Sequence, residues 1–292
     1  SGIMQALRDK KKYFRLKDGA FLSLDGLDEW QELADVLADV SEEELAESAA
    51  SQAETPAMTL RAYRTAYLVG LLGMNKLPVS VDDAVKASAE ALTSGGDPCP
   101  PELADTLRPY QVRGFEWIQA LYLLRMGGML ADDMGLGKTL QVIAAMLWAR
   151  EKDGHKPSLV VAPTSLVYNW QAELARFAPG LSVHVMEGNQ RARLMRWADL
   201  KSKRDMDVII TSYPLLRRDV NLIGEMPFRF VVLDEAQHIK NPQSLAATAA
   251  ARLQGRTRLA LTGTPMENNP GELWSIFNFV LPGYLPTLPQ FM

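Results

Sequence analysis

The sequence predicts an α/β fold with a mainly parallel sheet flanked by helices, preceded by a small, mostly helical accessory domain with a β-hairpin. Three observations lead there. Six short apolar runs, "GGMLA", "SLVVAP", "LSVHVM", "DVIITS", "FRFVVLDE" and "TRLALTG", alternate with helical patterns over the C-terminal part of the chain. Strands buried on both faces read as such unbroken runs, with the intervening helices serving as crossovers. The charge also changes along the chain: residues 1–105 hold 10 Lys and Arg against 19 Asp and Glu, the remainder 21 against 16. Finally, 292 residues are long for one core and comfortable for two structural units.

The accessory domain spans residues 1–93. "KKYFRLKDGAFLSL" alternates bulky and polar residues around Asp18-Gly19, a pair that accepts the positive φ of a tight hairpin turn. Leu27, Trp30, Leu33, Leu37 and Val40 then follow helical spacing. "MTLRAYRTAYLVGLLGM" reads as a second, more buried helix, and Ser80 as the N-cap of a third. "TSGGDPCPPELADTL" is rich in Gly and Pro, and residues 94–106 read as the domain linker. Beyond it, helical patterns over 141–150, 166–177, 191–200 and 244–253 separate the apolar runs.

Composition narrows the class. Apolar content of 47% with 23% charged residues describes a folded, soluble chain. No apolar run approaches the roughly 18 residues that span a bilayer, and "SGIMQALRDKKKYF" lacks the apolar core of a signal peptide. No membrane partner is expected. The single cysteine, Cys99, excludes an internal disulfide and fits a reducing, cytoplasmic setting. There is no His/Cys metal cluster and no credible nucleophile–His–acid set.

The chemistry sits at the ends of the apolar runs, where open α/β sheets bind ligands. "ADDMGLGKT" lies between a strand and a helix. Gly135 and Gly137 let backbone N–H groups curl around phosphate, aided by the helix dipole. Lys138 is placed to reach the β and γ phosphates and Thr139 to hold magnesium. The strict phosphate-loop pattern asks for a further glycine where Asp132 stands, so this stretch alone is not decisive. A second motif is: "FRFVVLDEAQ" places Asp234 and Glu235 at the end of a strongly apolar strand, about 95 residues downstream. Phosphoryl transfer to water needs one acid for magnesium and another group to orient the water. Asp234 fits the first role and Glu235 the second.

Six ordered stretches carry a family resemblance. "LRPYQVRGFEWI", "DDMGLGKT", "LVVAPTSLVYNWQAE", "VIITSYPLLRR", "LDEAQHIKN" and "LALTGTPMENNPGELW" resemble the motifs of the first RecA-like lobe of Swi/Snf-type ATPases, a branch of the superfamily II helicase-like translocases. The resemblance covers residues 107–282 and implies that 107–292 form that P-loop lobe. It implies that Gln111 recognises adenine, with Pro109 and Tyr110 shaping that wall. Asp133, Met134, Gly135, Leu136, Gly137, Lys138 and Thr139 would form the ATP and magnesium loop. Gln237, Thr262, Gly263 and Thr264 would couple the γ-phosphate to the nucleic-acid surface. Pro163, Thr164, Trp170, Thr211 and Ser212 match motifs that line the path of double-stranded DNA. Plainer readings stand beside these. Trp170 and Trp117 sit among apolar neighbours at helical spacing, Thr211-Ser212 could cap a helix, and Arg217-Arg218 fit a solvated helix end as well as a phosphate grip. His238 reads as structural.

Two departures matter. Many relatives have His where Gln237 stands, and Gln is the form common in bacterial members. The stretch around "YFRLKDGAFLSL" resembles, more loosely, the accessory region before the ATPase of those members. The second RecA-like lobe, with its arginine fingers, is not in this sequence, so weak or absent turnover alone is the expectation. The function implied is an ATP-dependent translocase or remodeller of double-stranded DNA, nucleoid-associated, with a DNA-bound protein complex as a candidate target. The alternatives are a strand-separating DNA or RNA helicase, or a nucleotide-gated binding module without turnover.

Overall fold

All six apolar runs form strands of a single sheet in the order Gly128–Leu130, Gln254–Leu261, Pro227–Leu233, Ser158–Ala162, Val208–Ser212, Val183–Val185, with every pairing parallel. The computed structural model describes residues 13–15, 21–23, 96–203, 205–224, 226–266 and 269–292. The chain divides into two compact units, Ser1–Thr93 and Ser94–Met292. In the first, β1 (Tyr13–Arg15) and β2 (Phe21–Ser23) pair antiparallel, as expected of the two arms of the hairpin. The helices expected over 27–92 lie outside the described residues.

In the second unit the strands are β3 (Gly128–Leu130), β4 (Ser158–Ala162), β5 (Val183–Val185), β6 (Val208–Ser212), β7 (Pro227–Leu233) and β8 (Gln254–Leu261). Helices, numbered among the described residues, are α1 (Pro109–Leu123), α2 (Lys138–Asp153), α3 (Val167–Phe177), α4 (Gln190–Ser202), α5 (Tyr213–Ile223), α6 (Leu245–Ala251), α7 (Pro270–Val280) and α8 (Leu288–Phe291). Successive residues on a strand face opposite ways, and the two cores divide accordingly. Val160, Ile210, Phe230, Val232 and Leu259 pack with α1, α2 and α3. Leu159, Val161, Ile209, Val231 and Ala260 pack with α4 to α7. The result is three layers, helix–sheet–helix.

Helix α2 is enclosed over its middle, every residue from Leu140 to Ala149 being buried. An all-round apolar helix belongs between layers rather than on a surface, which gives the loop feeding its N-terminus a fixed base. Residues 96–106 of the stretch read as a linker are a packed part of this unit. Asp97 accepts hydrogen bonds from the Trp148 indole at 2.8 Å and Lys152 at 2.7 Å, and Leu103 is buried. Gly and Pro density signals irregular backbone, and tertiary contact decides whether such backbone packs.

Candidate active site

Parallel register brings the motif loops to one end of the sheet. Leu130 lies opposite Leu261, and Val161 opposite Leu233. The ladder runs on into the loops: the Asp234 amide donates to Val161 O at 2.8 Å and the Thr262 amide to Leu130 O at 3.2 Å.

The glycine loop joins β3 to α2. Gly135 and Gly137 have φ of 83° and 74°, which side-chain-bearing residues rarely adopt. A Cβ on Gly135 would meet nothing within 4 Å, so the space beside this backbone is open. Lys138 and Thr139 open α2, and Lys138 Nζ donates to the carbonyls of Asp132 (2.7 Å) and Asp133 (3.1 Å). The two acids therefore contribute carbonyl oxygens that hold the lysine across the loop. The Asp132 carboxylate faces away to Gln141, whose Nε2 donates to it at 3.2 Å. Gln111 is buried, with Nε2 donating to Leu136 O at 3.1 Å and Oε1 accepting from the Arg108 amide at 2.9 Å. Tyr110 reaches the same Leu136 carbonyl at 3.2 Å. The Gln111 amide nitrogen thus braces the loop while its oxygen caps the start of α1, roles that its expected contact with adenine did not suggest.

The acidic pair sits beyond β7. Asp234 is half-buried; its Oδ2 accepts from the Trp170 indole at 2.8 Å and its Oδ1 from the Glu235 amide at 3.0 Å. Burial, reinforced by the Glu235 charge, pushes the Asp234 carboxyl above its ordinary pKa, while Trp170 and Lys138 pull the other way. Glu235 has φ 50°, ψ 58°, the left-handed region. Its carboxylate accepts from Gln237 Nε2 at 2.8 Å; Thr262 Oγ1 donates to Gln237 Oε1 at 3.1 Å; the Thr264 amide donates to Thr262 Oγ1 at 3.0 Å. Gly263 lies against Met134, a Cβ there falling 3.2 Å from Met134 Cγ. Of the residues expected to couple the site, Gln237, Thr262 and Thr264 are thus bonded in one line from Glu235.

The expected DNA path divides. Pro163 and Thr164 line a groove with Tyr213, Pro214, Arg217 and His238. Arg217 also lines an adjoining pocket with Arg218 and Arg252. Trp170, Thr211 and Ser212 do not fit that path: all three are buried, Trp170 at 2% exposure. The Trp170 indole points to Asp234, and Thr211-Ser212 end a central strand covered on both faces. Tyr213 was missed from sequence; its hydroxyl donates to the Asp234 carbonyl at 2.8 Å and its ring stacks on His238 at 4.7 Å.

The donor chemistry suits magnesium. Asp234 and Thr139 offer hard oxygens, and among the described residues no group of three or more His, Cys, Asp or Glu could form an all-protein cage. Magnesium is ordinarily held by one or two carboxylates together with substrate phosphates.

A family model described as the SNF2-related domain matches residues 110–292, and one described as "Bacterial SNF2 helicase associated" matches residues 1–95. An uncharacterized ATP-dependent helicase of Mycoplasma genitalium is 44% identical over 188 residues, covering 64% of this chain and 18% of that protein. The putative ATP-dependent helicase/translocase YwqA of Bacillus subtilis is 44% identical over 192 residues, covering 65% of this chain and 21% of its own length. Among solved structures, the Sulfolobus solfataricus SWI2/SNF2 ATPase core in complex with double-stranded DNA is 43% identical, with a TM-score of 0.57 over 64% of this chain and 38% of that one. The chain thus spans about a fifth of the length of the two curated relatives.

Proposed function

This chain belongs to the SNF2-related family of Swi/Snf-type, helicase-like ATPases, and from that premise we propose that it binds ATP as the nucleotide-holding lobe of a translocase on double-stranded DNA. The observation that carries the reading is the unbroken line of hydrogen bonds from Glu235 through Gln237 to Thr262 and Thr264. A carboxylate that orients the attacking water is there tied to the loop that flanks the phosphates.

The proposed division of labour follows the geometry. Backbone N–H groups after Met134 and the α2 dipole hold the phosphates. Lys138, now spanning the carbonyls of Asp132 and Asp133, turns to the β and γ oxygens. Gln111 and Tyr110 set the loop's edge and shape the adenine wall. Thr139 and Asp234 would hold magnesium, which when bound neutralises charge on the phosphate oxygens. Glu235 positions water, and Gln237 reports its state to Thr262. Pro163, Thr164 and the Arg217 edge of the groove offer phosphate contacts, which position a duplex without reading its sequence. The solved relative that carries double-stranded DNA supports this choice of partner.

Lys138 is the cation that this loop contributes. NTPases commonly add an arginine worth on the order of 10³–10⁵ in rate, and this chain spans only about a fifth of its curated relatives' length, so hydrolysis by residues 1–292 is proposed to be slower than that of a chain extended to the length of those relatives. The test is ATP hydrolysis with and without duplex DNA, on this chain and on the longer protein, beside a strand-separation assay. Duplex-stimulated hydrolysis of the longer protein without strand separation is the expected result. In the same protein Lys138→Ala should abolish binding of a fluorescent ATP analogue, and Glu235→Gln should retain binding and stop turnover. Unchanged analogue affinity in Lys138→Ala would remove the phosphate assignment.

A further inference from the structure

We propose that Trp170 is a positioning residue for the metal-binding carboxylate: its indole N–H and the Glu235 amide together fix the two oxygens of Asp234. The inference rests on the reading of Asp234 as a magnesium ligand and adds a residue to that site.

Trp170 lies on α3 at 2% exposure, unusual for so large a side chain. Its indole is a donor only, and a buried donor needs a partner. The acceptor is a carboxylate oxygen 64 positions away, at 2.8 Å. Phenylalanine would satisfy the apolar slot without that bond, so the hydrophobic environment by itself does not explain tryptophan here. The second oxygen accepts from the Glu235 amide at 3.0 Å, and the residue's own carbonyl accepts from Tyr213 at 2.8 Å. Side chain and backbone of Asp234 are therefore both clamped.

The clamp works against local repulsion. Glu173, one turn beyond Trp170 on the same helix, is half-buried, and burial together with the Asp234 charge raises its pKa. Glu235 adds a second nearby negative charge, so Asp234 is held against repulsion from two other carboxylates. A neutral donor can hold it in place and leave a lone pair on each oxygen for a cation. Magnesium demands near-ideal octahedral geometry, so a ligand free to rotate binds it less well. Loss of such a supporting hydrogen bond typically weakens metal affinity 10- to 100-fold.

The experiment is a titration of Mn2+ into this chain saturated with a non-hydrolysable ATP analogue, followed by electron paramagnetic resonance, for the unsubstituted protein and Trp170→Phe. About 10-fold weaker Mn2+ binding, with analogue affinity in the absence of metal unchanged, is expected. Mn2+ affinity within twofold of the unsubstituted protein overturns the proposal. If Trp170→Phe does not fold, 15N-labelled indoles in the unsubstituted protein decide. The resonance broadened by Mn2+ identifies Trp170, and it should shift when Mg2+ is added to the nucleotide complex. No shift overturns the proposal. Failure of the unsubstituted protein to bind the analogue at all would instead strike the functional reading beneath it.

Discussion

Glu235 and Gly137 both occupy left-handed backbone, for opposite reasons. Glu235 bears a side chain there, at φ 50°, and strain of this kind, of order 1–3 kcal/mol, persists where surrounding bonds over-determine it. Here the Asp234 carboxylate takes its amide and Gln237 takes its carboxylate. Gly137 has no side chain to strain, and an added Cβ would fall 2.3 Å from Gln111 Nε2. Gly137→Ala is therefore expected to destabilise this unit by about 1–2 kcal/mol from the left-handed conformation alone, lowering Tm by about 2–8 °C, with displacement of Gln111 adding to it. A thermal melt followed by circular dichroism checks this. The glycines, Lys138 and the acidic pair were legible because their spacing is set by local backbone geometry. Trp170 was not: an indole on an amphipathic helix gives no sequence sign of what its N–H meets 64 positions on.

Among elements, α4 and α5 are joined by a buried pair. Arg193 Nε and Nη2 donate to the two Asp219 oxygens at 2.7 and 2.9 Å, and the Trp197 indole donates to Asp219 as well. Breaking such a pair from one side leaves a buried charge, so Asp219→Ala should cost about 3–5 kcal/mol. The double change Arg193→Met with Asp219→Leu should recover most of that in urea denaturation, since similar apolar replacements are often neutral. A second tie is sensitive to acid. Hydrogen bonds from Lys152, then Trp148, hold the Asp97 carboxyl below its usual range. A depressed carboxylate contributes stability that is full above its unfolded pKa and is lost as pH falls through the folded one. Asp97→Asn should flatten that acid limb of a stability–pH profile; Asp97 is well exposed, so the change is small. This segment was read as a linker because composition reports backbone irregularity, whereas its anchors are Trp148 and Lys152, far along the chain.

At the scale of the molecule, the sheet with its helices was legible and its strand order was not. All six strands fall on the expected apolar runs, since a strand covered on both faces has no room for polar alternation. Order and register depend on which crossovers pack, and they decide that Thr211 and Ser212 are enclosed while Thr164 stays open. Helix α7 also escaped notice, its apolar residues following directly on the loop after β8. A ligand that binds only the folded sheet edge stabilises the whole unit: magnesium–ATP at 100 times its Kd should add about 2.7 kcal/mol. A rise in Tm of roughly 5 °C or more for the unsubstituted chain, absent in Lys138→Ala, would be read by differential scanning fluorimetry.

The ladder that continues past the strands has a mechanical meaning. Asp234 and Thr262 hang on the last rungs, bonded through their amides to Val161 and Leu130. Parallel strands share slanted, evenly spaced bonds, so tension along either loop is met by many of them at once, in shear. Bonds opened one after another, as in an unzipping hairpin, yield to far smaller forces. Under the proposed function, a load arising at the phosphates would be carried by the whole sheet rather than absorbed in a compliant loop, as a stiff frame requires.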